Sequence, residues 1–167
     1  MCMTRKRWVA FAASVTLVLA ALLWWMVTEN DRRLDAQIRQ GLERYEQAFA
    51  RDGVGATPTP PRREGYGRSL GVLSIEKVTV HKDGQTLTAE FVGALSAGAC
   101  GADYPARAVE SEHAVLIVVE EHPHVQVGAR ACTAVGILNQ VTVRLSRPLG
   151  ERAVLEAERG MPVPSTS

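Results

Sequence analysis

The densest group of side chains that could do chemistry lies at Glu120–His124, which reads EEHPH. Two imidazoles beside carboxylates are ligands that zinc and copper accept. The spacing fits neither of the common zinc signatures, CxxC and HExxH, and the other two histidines are distant in sequence. We therefore expect a solvated strand end with a proline turn, and keep a metal site built from Glu120, His122 and His124 as the alternative.

A second chemical motif is Gly67–Gly71, GRSLG, which matches the G-x-S-x-G nucleophile elbow of serine hydrolases. That elbow needs a strand before it and a helix after it. Here a proline-rich segment precedes the motif and a strand-like pattern follows it. We expect neither a catalytic serine nor a bound cofactor, and we rank an enzyme behind a binding module and a metal-binding domain.

The chain has two cysteines beyond its first residues, Cys100 and Cys132. An even pair without CxxC spacing predicts a structural disulfide in an oxidising compartment. Such a bond would close a loop of about 33 residues and contribute roughly 3–4 kcal/mol in the chain-entropy model.

The predicted disulfide also suggests where a partner binds. Of the two longest predicted loops, Gly93–Pro105 contains Cys100 and His122–Ala131 ends beside Cys132. Stapled together on a rigid sheet they would form a fixed surface, where binding residues tend to lie. We expect Tyr104 and His124 to be its binding side chains, because each offers a ring and a hydrogen bond.

The element that would place all of these residues is Trp8–Val27, an uncharged run of about 20 residues without proline or glycine. At about 1.5 Å per residue it matches the roughly 30 Å of a bilayer core. The basic cluster Arg5–Arg7 precedes it, which predicts a cytoplasmic N-terminus. The run is longer than a signal-peptide core and ends in bulky residues, so we expect an uncleaved single-pass anchor in the cell membrane, with the remaining chain extracytoplasmic.

Composition changes along the chain give the domain plan. The predicted segments are a cytoplasmic N-terminus at 1–7, the transmembrane helix at 8–27, a juxtamembrane amphipathic helix at 30–51, a Pro/Gly-rich linker at 52–67, a β-rich domain at 68–160 and a loose tail at 161–167. The net charge of +1 gives no reason to expect nucleic-acid binding.

The juxtamembrane helix is predicted from apolar residues at helical spacing, namely Leu34, Ile38, Leu42, Tyr45 and Phe49. Two roles are open for this apolar face. It packs on its own domain or on the lipid headgroups, which we favour because fewer than three heptads are present, or it dimerises.

A β-hairpin is predicted around Asp83-Gly84, read as a two-residue type I′ turn. This turn places apolar residues on one face of the two strands and polar residues on the other only if Val80 faces Leu87 and Val78 faces Ala89. The preceding apolar residues have the opposite parity, which predicts a bulge near Glu76.

The other strands complete a mainly-β domain of about six strands. Ala114–Glu120 is apolar on both parities and predicts a central strand covered on both faces. Shorter strands are expected at Arg107–Glu110, Val141–Leu145 and Ala153–Glu156. The fold class is therefore an antiparallel sandwich, or a sheet covered by the juxtamembrane helix.

Three stretches, VTVRLSRPLGERAV at 141–154, LTAEFVG at 87–93 and CGADYPARAVES at 100–111, resemble small uncharacterised exported or membrane-anchored proteins of high-GC Gram-positive bacteria. The resemblance covers residues 72–154. It implies a β-rich extracytoplasmic domain and assigns no functional residue.

These features together predict a single-pass membrane protein whose non-enzymatic extracytoplasmic domain binds an envelope protein or a wall component. The alternative is a metal-binding or sensory domain that uses the loop of His122 and His124. The predicted partners are thus the lipid bilayer and an envelope protein, and the oligomeric state is left open.

Overall fold

The computed structural model of the chain describes residues 4–61, 71–124, 132 and 135–166, without the side chains of residues 4–24 and 26–28. The chain divides into two compact units, Met1–Asp35 and Ala36–Ser167. All β-strands lie in the second unit.

A single helix, α1, runs without interruption over Thr4–Asp52. The predicted helix at 30–51 is therefore not a separate element, because no proline or glycine interrupts the chain before it. The helix ends where Gly53 adopts a φ of 77° and donates its N–H to Phe49 O at 2.8 Å.

The predicted transmembrane segment Trp8–Val27 lies within α1. Of its side chains, the structure describes only that of Trp25. Among the residues that could be assessed, no helix combines the length and the apolar character needed to cross a membrane. The anchor remains a prediction.

In the described part of the chain, nine strands follow the helix: β1 Ile75–Val80, β2 Thr86–Gly93, β3 Ala102–Asp103, β4 Ala106–Glu110, β5 Ala114–Val119, β6 His122–Pro123, β7 Ile137–Arg144, β8 Ala153–Glu156 and β9 Ser165–Thr166. They form a sheet of order β7-β2-β1-β9, a sheet of order β4-β5-β8 and the short pair β3-β6. The mainly-β prediction is confirmed, and the six longer strands lie where the sequence predicted strands.

The hairpin of β1 and β2 has the predicted register, with Val80 opposite Leu87, Val78 opposite Ala89 and a shift between Ile75 and Lys77 at the predicted bulge. The turn type is a correction. Gly84 donates its N–H to His81 O at 2.8 Å, which closes a turn around two residues that precede the glycine. Type I′ needs positive φ at both central residues, and no described non-glycine residue has positive φ.

The hydrophobic core lies between the two larger sheets. One sheet contributes Val78, Leu87 and Phe91, and the other contributes Val115 and Ile117. These side chains are buried and share one parity on each strand, as expected for the inner faces of a sandwich.

The helical part of the second unit covers the opposite face of β5. All six residues of β5 are buried, as predicted for a strand covered on both sides. A Cβ placed on Gly41 of α1 would lie 3.2 Å from Leu116 Cδ1, so the helix backbone approaches the sheet closely there. Ile38 and Tyr45 of the predicted apolar face are also buried, which agrees with packing on the chain's own domain.

Two predictions about strand pairing are wrong. Over its described residues, 161–166, the predicted tail is not loose, because β9 pairs with β1 and Val163 is buried. The sandwich is not purely antiparallel either, because β9 runs parallel to β1 and β8 runs parallel to β5. Pairing between elements so distant in sequence leaves no local pattern from which it could be predicted.

The predicted linker at 52–67 is described as far as Pro61. Ala56 and Pro58 are buried, so the described part of the predicted linker is packed within the second unit and is not an exposed connection. Residues 62–67, and the G-x-S-x-G motif apart from Gly71, lie outside the described residues.

Candidate functional site

The predicted disulfide between Cys100 and Cys132 is confirmed, with the two Cα atoms 5.6 Å apart. It ties the loop that follows β2 to the segment that precedes β7. Because β2 and β7 are hydrogen-bonded neighbours, the bond closes the end of a ladder that is already formed.

Tyr104 lies beside this bond, but its ring and hydroxyl are already engaged. The hydroxyl donates to Ala94 O at 2.8 Å, and the ring meets the core residue Phe91 edge-on at 4.9 Å between centroids. Burial, and the nearby Glu121 carboxylate, raise its pKa. A Cβ on Gly93 would lie only 2.6 Å from the tyrosine hydroxyl. Tyr104 therefore holds the loop onto the core, which leaves little of it for a partner.

His124 is held in a similar way. Its Nδ1 lies 3.1 Å from Gly98 O and its Nε2 lies 3.2 Å from Asp103 Oδ1. The Gly98 carbonyl and then the Asp103 carboxylate raise the pKa of His124, because both accept hydrogen bonds that favour the charged imidazolium. Because both ring nitrogens of His124 have hydrogen-bond partners, neither has a lone pair directed at a metal ion.

The alternative metal site gains little from the geometry. His122 Nε2 lies 3.7 Å from Glu120 Oε2, while His124 contacts a different carboxylate, that of Asp103. Within the described ranges, no group of three or more His, Cys, Asp or Glu side chains is placed to hold a metal ion.

Exposed apolar side chains are concentrated at the disulfide end of β2 and β7. Val92 and Leu138 are opposite each other in the ladder and are 46% and 59% exposed. Leu95 and Val135 are 57% and 65% exposed. They lie two residues beyond Gly93 of β2 and two residues before Ile137 of β7, which form the last pair of the ladder. We call Val92, Leu95, Val135 and Leu138 the apolar surface.

The rest of the same sheet face is polar. Gln140 donates to Glu90 Oε1 at 3.0 Å, and the Thr88 and Thr142 hydroxyls lie 3.2 Å apart. These pairs continue the face on which Val92 and Leu138 lie, so the apolar surface has a polar border. That arrangement is typical of the centre and rim of a protein interface.

Sequence reasoning missed the apolar surface, although one signal was present. Val92 continues the polar parity of Thr88 and Glu90, so an apolar residue there has no place in the core. The matching signal at Leu138 was hidden because β7 begins four residues before the predicted strand.

A serine, a histidine and a glutamate also meet where α1 lies on the sheet, but their geometry is structural. Ser111 Oγ donates to Glu46 Oε1 at 2.6 Å, and His113 Nδ1 lies 2.7 Å from Glu46 Oε2. In a catalytic triad the serine would bond to the histidine. Although partial burial opposes it, hydrogen bonds from Ser111 and His113 lower the pKa of Glu46, and the Phe49 ring stacks on His113 at 3.8 Å. The cluster fastens the helix to the domain.

Comparisons with protein-family models, with curated proteins and with solved structures found no match for this chain.

Proposed function

We propose that this protein is a single-pass membrane protein whose β-domain lies outside the membrane and binds another protein of the cell envelope through the apolar surface. The observation that carries the proposal is the concentration of exposed apolar side chains. Among the described residues, four of the six large hydrophobic side chains that are exposed belong to this one surface. Scattered exposed hydrophobics are ordinary, whereas several grouped at the same end of two paired strands favour an interaction site.

The energetics favour a partner. Fully burying a valine or leucine side chain contributes roughly 1.5–3 kcal/mol, so four partly exposed ones could supply the centre of a moderate interface. The disulfide lies beside them and limits how far the loop of Leu95 and the segment of Val135 can separate. A surface held in place before binding costs less entropy to bind.

Two independent features support an extracytoplasmic location for the domain. The Cys100–Cys132 bond favours an oxidising compartment. The basic cluster Arg5–Arg7 before the apolar run Trp8–Val27 favours an N-terminus in the cytoplasm and a domain outside. Binding of a wall component would use the same surface, but four aliphatic side chains suit a protein better than a polar polymer.

The proposal is tested by removing apolar character from the surface. We expect Val92→Ser with Leu138→Ser to abolish the adduct that an amine-reactive crosslinker forms with the full-length protein in intact cells, while the domain stays folded. Val54→Ser is the matched control, because Val54 is 68% exposed but lies in the turn after α1. An adduct that survives the double variant would contradict the proposal, and so would an equal loss of the adduct in the Val54→Ser control.

A further inference from the structure

A cavity of about 610 Å³ adjoins the apolar surface at Val92. Residues 72–76 form one of its walls, just before the stretch of β1 that pairs with β9 at Val78 and Thr79. Glu158 and Arg159, in the turn after β8, also line it. A volume of this size is within the range that binds small ligands or a few residues of a peptide.

The lining combines apolar and acidic groups. Val72 and Val92 supply apolar surface, and Glu76 and Glu158 each bring a carboxylate. Neither of these two carboxylates forms a hydrogen bond or a salt bridge with another described residue. The cavity therefore presents negative charge beside apolar side chains.

Arg159, the one cation among the described lining residues, is already bound. Arg159 Nε lies 3.4 Å from Glu156 Oε1, and the Glu156 side chain is only 3% exposed. The backbone N–H groups of Glu158 and Arg159 also donate to this carboxylate, at 2.8 and 2.9 Å. The buried Glu156 thus fixes the turn and offsets the charge of Arg159, which leaves Glu76 and Glu158 to set the sign of the cavity.

We infer that this cavity takes a basic side chain of the bound partner, from a peptide segment in which a lysine or arginine is flanked by apolar residues. The inference rests on the proposed function, since the apolar neighbours of that basic residue would lie on the apolar surface across Val92. Charge complementarity selects the basic group, because a cation between two carboxylates gains charge-assisted hydrogen bonds and an anion would be repelled.

The test uses the full-length chain in a non-ionic detergent and rhodamine-labelled peptides followed by fluorescence anisotropy. One probe is acetyl-Ser-Leu-Lys-Leu-Ser-amide, and its matched control carries acetyl-lysine, which keeps the length but removes the charge. We expect the lysine probe to bind at least about tenfold more tightly than the control, the factor that corresponds to one net charge-assisted hydrogen bond.

Variants locate the binding. Glu76→Gln with Glu158→Gln should weaken binding of the lysine probe about tenfold. Ser74→Trp should block binding by filling the cavity. Glu151→Gln changes an exposed carboxylate elsewhere and should leave binding unchanged. Equal affinity for the two probes, no binding of either, or equal loss in Glu151→Gln would overturn the inference. If those results came with a crosslinked adduct that still depended on Val92 and Leu138, the proposed function would stand and only the cavity assignment would fall.

Discussion

At the scale of single residues, the ion pair of the buried Arg152 and the partly buried Glu110 joins separate parts of the domain. Arg152 Nη1 donates to Glu110 Oε2 at 2.6 Å, and Nη2 donates to Arg147 O and Pro148 O at 2.9 Å each. Glu110 Oε1 accepts the backbone N–H of Ser146 at 2.7 Å. The pair therefore fixes the chain reversal between β7 and β8 against the end of β4.

This pair predicts a specific pH dependence. Partial burial opposes ionisation, yet the Arg152 and Ser146 donors hold the pKa of Glu110 at about 2, below its usual 4.5. A lowered pKa in the folded state gives stability that is full above about pH 4.5 and is lost as pH falls toward 2. The corresponding free energy is at most about 3 kcal/mol.

We expect Glu110→Gln to lower the free energy of unfolding at pH 7. Between pH 4.5 and pH 2, the free energy of unfolding of this variant should fall by less than that of the parent protein. Urea unfolding at several pH values measures both. Glu112→Gln, two residues along and exposed, is the matched control and should follow the unchanged protein. Parallel curves for Glu110→Gln and the unchanged protein would mean that the ion pair contributes nothing.

Some of this residue-level detail was accessible from the sequence and some was not. The pairing of Cys100 and Cys132 follows from cysteine count and spacing alone. The roles of Tyr104 and His124 could not be read in the same way, because each side chain bonds to a backbone carbonyl, that of Ala94 or of Gly98, besides the Asp103 carboxylate that His124 also contacts. Every residue has a backbone carbonyl, so the residue types do not indicate which carbonyl accepts a given hydrogen bond.

At the scale of elements, the contact of α1 with the turn after β8 explains a glycine that the helix pattern leaves unexplained. A Cβ on Gly160 would lie 2.8 Å from Gly41 Cα, and Gln37 Nε2 donates to Ala157 O at 2.8 Å. Glycine in mid-helix costs about 1 kcal/mol relative to alanine. Here that cost is offset because the helix and the turn can approach each other closely.

We expect Gly41→Leu to destabilise the domain by about 1–3 kcal/mol through overpacking against Leu116 and Gly160. Gln40→Leu, at the exposed neighbouring position, should leave the melting temperature nearly unchanged. Thermal unfolding followed by circular dichroism compares the two. If Gly41→Leu were as stable as the control, α1 would not be docked on the sheet at this point.

Some strand pairings are set by residues close in sequence, and others are set only by the assembled fold. The register of β1 and β2 and the bulge follow from a short turn and two alternating patterns, so the sequence specifies them within about 15 residues. The parallel pairing of Ala114 with Ala153 joins residues far apart, and only the assembled core selects it. The type of the turn at Gly84 depended on Asp83, whose carboxylate accepts the N–H groups of Gln85 and Thr86.

At the scale of the whole molecule, the unit Ala36–Ser167 is a three-layer arrangement of sheet, sheet and helix. The inner strand β5 has no solvent-exposed face, and the outer face of the β2–β7 sheet carries the apolar surface. The helix thus completes the domain on one side, and the opposite side is left for a partner. The cavity lies nearer to the helix, because the carbonyls of its lining residues Glu158 and Arg159 accept hydrogen bonds from Gln37 and Arg44 of α1.

The central claim is that the apolar surface is where a partner binds. A photo-crosslinking amino acid placed at position 138 or 95 in the full-length protein, irradiated in intact cells, tests it directly. We predict a discrete adduct from both positions and none from position 79, on the same sheet face but two strands away from β7. Adducts at 79 that equal those at 138, or no adduct at 138 and 95, would contradict the account.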